Sequence, residues 1–205
     1  MNETVTYEEP RIAKWLFNSR QGAWVWLAVR VWLGYQWFHA GWEKITGTSG
    51  GTFAWHFGYT NDSWLKSSAA LKGFAGYALK GAGTDHAAVN YGWYAHFLHY
   101  LSTGGGWMAP VIAIGETAIG IALILGLFTG IAAFLGGTLN MSFGLAGVAG
   151  VNPVFFMAAV LLVLAWRNAG YYGLDRYILP ALGTPWQKGK VFHHAPVPTA
   201  PAAVA

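Results

Sequence analysis

Three residues with charge or strong hydrogen-bonding capacity interrupt otherwise apolar runs: Arg30, Glu116 and Asn140. A charge at the centre of a bilayer costs roughly 2.5–3.5 kcal/mol on insertion scales, so it is kept where it has a partner or a task. Arg30 lies nine residues into the first apolar run, counted from Gln21, and Glu116 nine residues into the second, counted from Trp107. At a rise of about 1.5 Å per residue, antiparallel neighbours would hold the two at similar depth. This predicts an Arg30–Glu116 pair in the core. It has two readings: an ion pair that locks two helices, or a catalytic pair that handles protons or a ligand. Asn140 recurs with Gly136 and Gly144 every four residues, a stripe that reads as close helix packing or as a polar wall beside the pair.

Arg30, Gly34, Trp37, Gly41 and Lys44 share one helix face. Lys44 stands at its outer end, either as an interfacial anchor or as an attractor for an anion. Lys44, Trp37 and Asn140 are the candidate substrate-binding residues. His39, nine residues from Arg30, falls about 180° round the helix and outside that cluster. His96 and His99 have the i, i+3 spacing of a metal pair. No carboxylate follows at a defined spacing, so no metal site is expected from them, from His56 or from His86. The glycine clusters lack the preceding strand and Walker lysine of a nucleotide loop. With no cysteine in the chain, disulfides and thiolate chemistry are excluded.

The elements that carry these residues are apolar. The chain has 205 residues, of which 10% are charged and 55% hydrophobic, with 12 Trp. A soluble domain carries about 25% charge. Glu116 is the one charged residue between Trp107 and Trp166. A span needs about 20 apolar residues, so this stretch accommodates three. The expected fold is all-α: a four-transmembrane-helix bundle in a single membrane domain, with spans near 21–43, 107–128, 131–150 and 152–168. Thr129-Gly130 is expected to form the turn between the second and third spans, and Asn152-Pro153 to start the fourth. A polar insert, 44–106, separates the first two spans. It contains two helical stretches, 62–80 and 88–102, whose aromatic, amphipathic character suits the headgroup region. Residues 1–20 read as a polar tail, 171–182 as an interfacial segment and 195–205 as a disordered tail. Seven basic residues lie in the two tails that flank the bundle: Arg11, Lys14, Arg20, Arg167, Arg176, Lys188 and Lys190. The insert carries Lys44, Lys66, Lys72 and Lys80 over a greater length. The positive-inside rule therefore puts both termini in the cytoplasm and the insert outside. The net charge of +4 is read as a topology signal, and no nucleic-acid partner is expected.

The run Arg30-Val-Trp-Leu-Gly34 with Gly41-Trp-Glu-Lys44 resembles the first-span signature of the DoxX/DoxD family. Gly115-Glu116 with Gly120-Ile-Ala-Leu-Ile-Leu-Gly126-Leu-Phe-Thr129 resembles that of its second span. Asn168-Ala-Gly-Tyr-Tyr-Gly-Leu-Asp175-Arg176 is similar to the segment after the bundle. The resemblance covers about residues 20–180, and the long insert resembles the DoxD branch. It implies a four-helix bundle in a prokaryotic plasma membrane. It also implies oxidation of thiosulfate to tetrathionate with electrons passed to quinone, beside a small DoxA-type subunit. On that expectation Lys44 and the insert lysines would meet the anion, and Arg30, Glu116 and the aromatic wall of the first span would meet the quinone. The competing reading is a non-catalytic anchor or accessory subunit of a larger membrane redox complex, which uses its aromatic surface for partners or lipids. A transporter is a third class, with no internal repeat to support it.

Overall fold

The computed structural model describes residues 10–48, 60–80 and 88–183. The described residues fold as helices, with no strand among them. In order these are α1 (Arg11–Asn18), α2 (Ala23–Thr46), α3 (Ala69–Ala78), α4 (Gly92–Thr103), a 3-10 turn (Gly105–Trp107), α5 (Met108–Leu125), α6 (Thr129–Leu145), α7 (Asn152–Leu164), α8 (Trp166–Ala169) and α9 (Asp175–Leu182). The four predicted bundle helices correspond to α2, α5, α6 and α7–α8, and the two insert helices to α3 and α4. Among the described residues, one helical stretch, Gly105–Leu125, is long and apolar enough to cross a membrane; Asn152–Leu164 is apolar but shorter. The tail at 195–205, the insert histidines His56 and His86, and Lys188 and Lys190 lie outside the described residues.

The principal interface is α2 on α5. It is built on glycines that let the two backbones approach. A Cβ at Gly34 would stand 2.9 Å from the backbone nitrogen of Ile124. One at Gly120 would collide with the Phe38 nitrogen, and one at Gly41 with the Thr117 nitrogen. These three pairs share one antiparallel register, which puts Phe128 opposite Arg30 and Trp42 opposite Glu116. The predicted face of α2 is correct, since Arg30, Gly34, Trp37 and Gly41 are all buried. Around it Trp26, Leu33, Leu123, Ala133, Ala159 and Leu162 form the main core. A second core lies under the insert, where Leu71 of α3, Tyr94, Leu98 and Leu101 of α4 and Ala109 of α5 meet. Burying each of its leucines contributes about 1.5–3 kcal/mol.

Two local expectations are corrected. Residues 11–18 are not a plain polar tail. They form α1, whose Leu16 and Phe17 pack on the main core. The Leu16 carbonyl accepts hydrogen bonds from Trp26 Nε1 at 2.7 Å and Asn168 Nδ2 at 2.9 Å. The turn between the second and third bundle helices is Gly126–Phe128, and Thr129-Gly130 already belongs to α6. Gly126 ends α5 with φ +66°, the left-handed conformation glycine adopts without penalty. The Leu127 N–H then donates to the Ala122 carbonyl at 2.8 Å, closing the Schellman motif. Asn152-Pro153 starts α7 as expected, with proline in the first turn. In the Gly136–Asn140–Gly144 stripe, Gly136 and Asn140 are buried, whereas Gly144 faces open space.

Candidate functional site

Lys44 sits in the last turn of α2. The helix stops at Gly47, in the left-handed region at φ +73°, and the returning chain is pinned to it. The Thr60 N–H donates to Thr46 O at 3.0 Å and the Trp64 N–H to Lys44 O at 2.9 Å. Ser63 Oγ donates to Ile45 O at 2.5 Å. This clasp carries the Trp64 ring over the ammonium of Lys44, with Nζ 5.5 Å from its centroid, a cation–π contact.

Lys44 Nζ lies 2.5 Å from Glu116 Oε2 and also donates to the Ala40 carbonyl at 3.3 Å. The pair follows from the α2–α5 register, because Glu116 faces the end of α2 that carries Lys44. The predicted Arg30–Glu116 pair is therefore wrong. Arg30 and the residue facing Glu116, Trp42, are twelve positions apart on α2, about 18 Å along the axis. The counting of depth failed because α2 extends to Thr46 and the glycine contacts set the helices' relative height. Arg30 belongs to the opposite end of the bundle. Its Nη2 donates to Tyr172 O at 3.2 Å. Its Nη1 packs where Cβ atoms of Gly126 and Gly173 would otherwise be. Beyond it, Asp175 caps the start of α6, accepting from the N–H of Phe128 at 2.6 Å and of Thr129 at 2.8 Å.

The other four candidate residues converge. A cavity of about 340 Å³ is lined by Trp37, Lys44, Glu116 and Asn140 together with Trp64 and Phe74 from the insert side. Glu116 is 0% exposed, Asn140 2% and Trp37 4%. Gly136 makes room for the Trp37 indole, since a Cβ there would sit 2.9 Å from Nε1. Among the described residues, Glu116 Oε1, Asn140 Nδ2 and Trp37 Nε1 have no hydrogen-bond partner. Arg30 Nε and Nη1 and Thr129 Oγ1, at the other end of the bundle, are likewise without a partner among the described residues; what sets this cavity apart is an ion pair in an otherwise apolar, aromatic lining, which suits a ligand with a ring and a few polar groups. A second, larger cavity of about 550 Å³ adjoins it and shares Lys44, Ala40 and Trp64; it also includes Glu43, Asp62 and Ser67. Lys44 thus stands between the two.

Trp64 and Phe74 were not singled out from the sequence. They lie in the insert, far from Lys44 in the chain, and only the clasp after α2 and the docking of α3 bring them to the cavity. His39 lies apart from the cluster, as its helix angle requires, with Nε2 3.7 Å from Glu43 Oε1. Comparison with protein-family models, curated proteins and solved structures finds no match to this chain.

Proposed function

We propose that the chain is a DoxX/DoxD-like membrane subunit of a quinone-linked redox system, and that the cavity of Lys44 and Glu116 receives the quinone headgroup. The observation that carries this reading is the Lys44–Glu116 ion pair at an otherwise apolar, aromatic cavity that Trp37 and Asn140 also line. A quinone needs such a slot: ring surface for its ring, donors for its carbonyls and a titratable group for its protons. Trp37 and Asn140 would hold carbonyl oxygens. Glu116 would exchange protons, with Lys44 keeping its charge balanced.

The bundle's outer surface supports four spans. Phe134, Val154 and Leu164 are each at least 60% exposed, and the neighbouring Ile131 and Met157 are exposed as well. With Val31 and Trp32 on α2 and Val111 and Ile114 on α5 exposed too, this apolar surface has a large cost in water and none against lipid tails. Spans at α2, α5, α6 and α7–α8, with both termini in the cytoplasm of a prokaryote, also accord with the basic residues of the two tails. In a chain without native cysteine, Ser19→Cys and Ser67→Cys should label from opposite sides of sealed vesicles. Labelling from the same side rejects this topology.

The reaction proposed for this subunit is oxidation of two thiosulfates to one tetrathionate with release of two electrons, which, with two protons taken up from solvent, convert quinone to quinol. A DoxA-like small subunit is its proposed partner. Lys44 is the cation among the residues that line the outer cavity, although Glu43 and Asp62 share that space and oppose a dianion. Membranes containing the protein should reduce a short-chain quinone with thiosulfate faster than membranes lacking it. Equal rates reject thiosulfate oxidation. The anchor reading draws on the exposed Tyr91, Trp93, Tyr100 and Trp107, an aromatic surface for partners or the lipid interface. Retention of large redox subunits by a protein that binds no quinone would favour it.

A further inference from the structure

We propose that the end of the bundle carrying both tails holds the phosphate of an anionic phospholipid between Arg20 and Arg176, two guanidinium groups set against the ring of Tyr171. This rests on the membrane reading of the bundle and not on the quinone reading of its cavity.

Arg20 lies in the turn between α1 and α2, and Arg176 in the first turn of α9. α1 is held to this end by the bonds of Trp26 and Asn168 to the Leu16 carbonyl. α9 is held there by the Asp175 N–H, which donates to the Gly126 carbonyl at 2.8 Å. The guanidinium carbon of Arg20 stands 5.6 Å from the Tyr171 ring centroid, and that of Arg176 5.2 Å. Both are cation–π contacts, and the two charges cannot be further apart than those distances laid end to end. Both residues are exposed. Among the described residues neither guanidinium has an ion pair, since the two pairs present are His39–Glu43 and Lys44–Glu116. Their N–H donors are therefore open to an acceptor from outside. The neighbouring carboxylate, Asp175, is buried and turned away, with both oxygens taken by the Phe128 and Thr129 N–H groups.

Two like charges held against one ring repel, and an anion between them turns that repulsion into attraction. The guanidinium fork matches phosphate oxygens two at a time. Arg11, Lys14 and Arg167 at the same end are exposed as well and add a general pull on anionic lipid. The neighbourhood selects a lipid as the source of the phosphate. Ile12 is 78% exposed and Tyr177 70%. Trp15, Trp24 and Leu174 are exposed too, and the Trp24 ring lies against Tyr172, with centroids 4.3 Å apart. Apolar and aromatic side chains flanking basic ones suit the boundary between acyl chains and phosphates. Free phosphate in water has no use for them.

The test is native mass spectrometry of the full-length protein in a neutral detergent, titrated with dioleoyl-phosphatidylglycerol or dioleoyl-phosphatidylcholine. The first phosphatidylglycerol should bind about tenfold or more tighter than the first phosphatidylcholine. Arg20→Gln/Arg176→Gln should bring the two lipids within about threefold of each other. Arg11→Gln/Lys14→Gln removes as much charge from the same end and should keep the preference. Equal affinities in the wild type overturn the inference and leave the membrane reading standing. So does a preference that survives Arg20→Gln/Arg176→Gln, or one that falls equally in both double variants, since the attraction is then diffuse. Excess inorganic phosphate should leave the bound lipid in place; its release would reassign the site to free phosphate and overturn the inference. Should Arg20→Gln/Arg176→Gln not fold, Arg20→Lys/Arg176→Lys takes its place. It keeps the charges and loses the forks, and a preference undiminished by it overturns the inference. Recovery of the protein in aqueous buffer without detergent overturns the membrane reading and this inference with it.

Discussion

Lys44 Nζ and Glu116 Oε2 stand 2.5 Å apart, joining the last turn of α2 to the middle of α5. Glu116 is wholly buried, whereas the lysine side chain keeps 22% of its surface exposed. Removing one member of such a pair strands the other charge. Lys44→Met is expected to destabilise the fold by about 3 kcal/mol, at the low end of the range for buried pairs because Lys44 is partly solvated. The double change Lys44→Met/Glu116→Leu should recover most of that loss, since two apolar groups replace two charges. Thermal unfolding in detergent checks both. A double variant less stable than Lys44→Met would contradict this account.

At the other end of the bundle, Arg30 is expected to matter for stability and not for ligand affinity. Gly126→Ala would drive a Cβ into the Arg30 guanidinium at a residue with φ +66°. It should cost about 2 kcal/mol or more. Arg30→Met should lower stability by a similar amount, having lost its bond to Tyr172 O, yet leave headgroup affinity unchanged. An affinity loss in Arg30→Met with an unchanged melting temperature would restore Arg30 to the site.

Asp175 supplies the cap that α6 lacks in its own sequence. Its two carboxylate oxygens accept from the first free N–H groups of that helix. Asp175→Ala should cost about 1–2 kcal/mol, the range for a lost N-cap. Hydrogen exchange should show faster opening at Thr129 and Gly130 than at the centre of α6. Uniform acceleration along the helix would speak against a local cap.

Tyr94 gives a pH-dependent tie between insert and bundle. Its hydroxyl donates to the Ser142 carbonyl at 2.5 Å, and burial pushes the phenol above its ordinary value. The unfolded phenol titrates near about 10. The stability from the protonated form is therefore complete below that pH and is lost as pH rises towards the higher folded value. Tyr94→Phe should cost about 1 kcal/mol at neutral pH and flatten the decline of stability above pH of about 10. A decline of the same steepness in both proteins would assign it to another group.

Much of the architecture is already determined by the order of residue types. The almost charge-free stretch from Trp107 to Trp166 demands apolar helices. The spacing of Arg30, Gly34, Trp37, Gly41 and Lys44 puts them on one face, and Asn152-Pro153 starts α7. Periodicity is a property of each helix alone, so it carries over into any packing that buries the same face. What it does not contain is the height of one helix against another. Sliding α2 along α5 by one turn preserves every i, i+4 pattern and exchanges the partners of every charge. That choice is made by backbone contacts at Gly34, Gly41 and Gly120, which interlock in one register and bring Glu116 to Lys44 and not to Arg30. The same holds for Asp175 at the start of α6 and for Trp64 over Lys44. Each contact joins segments remote in the chain, and its energy exists only after the helices have packed.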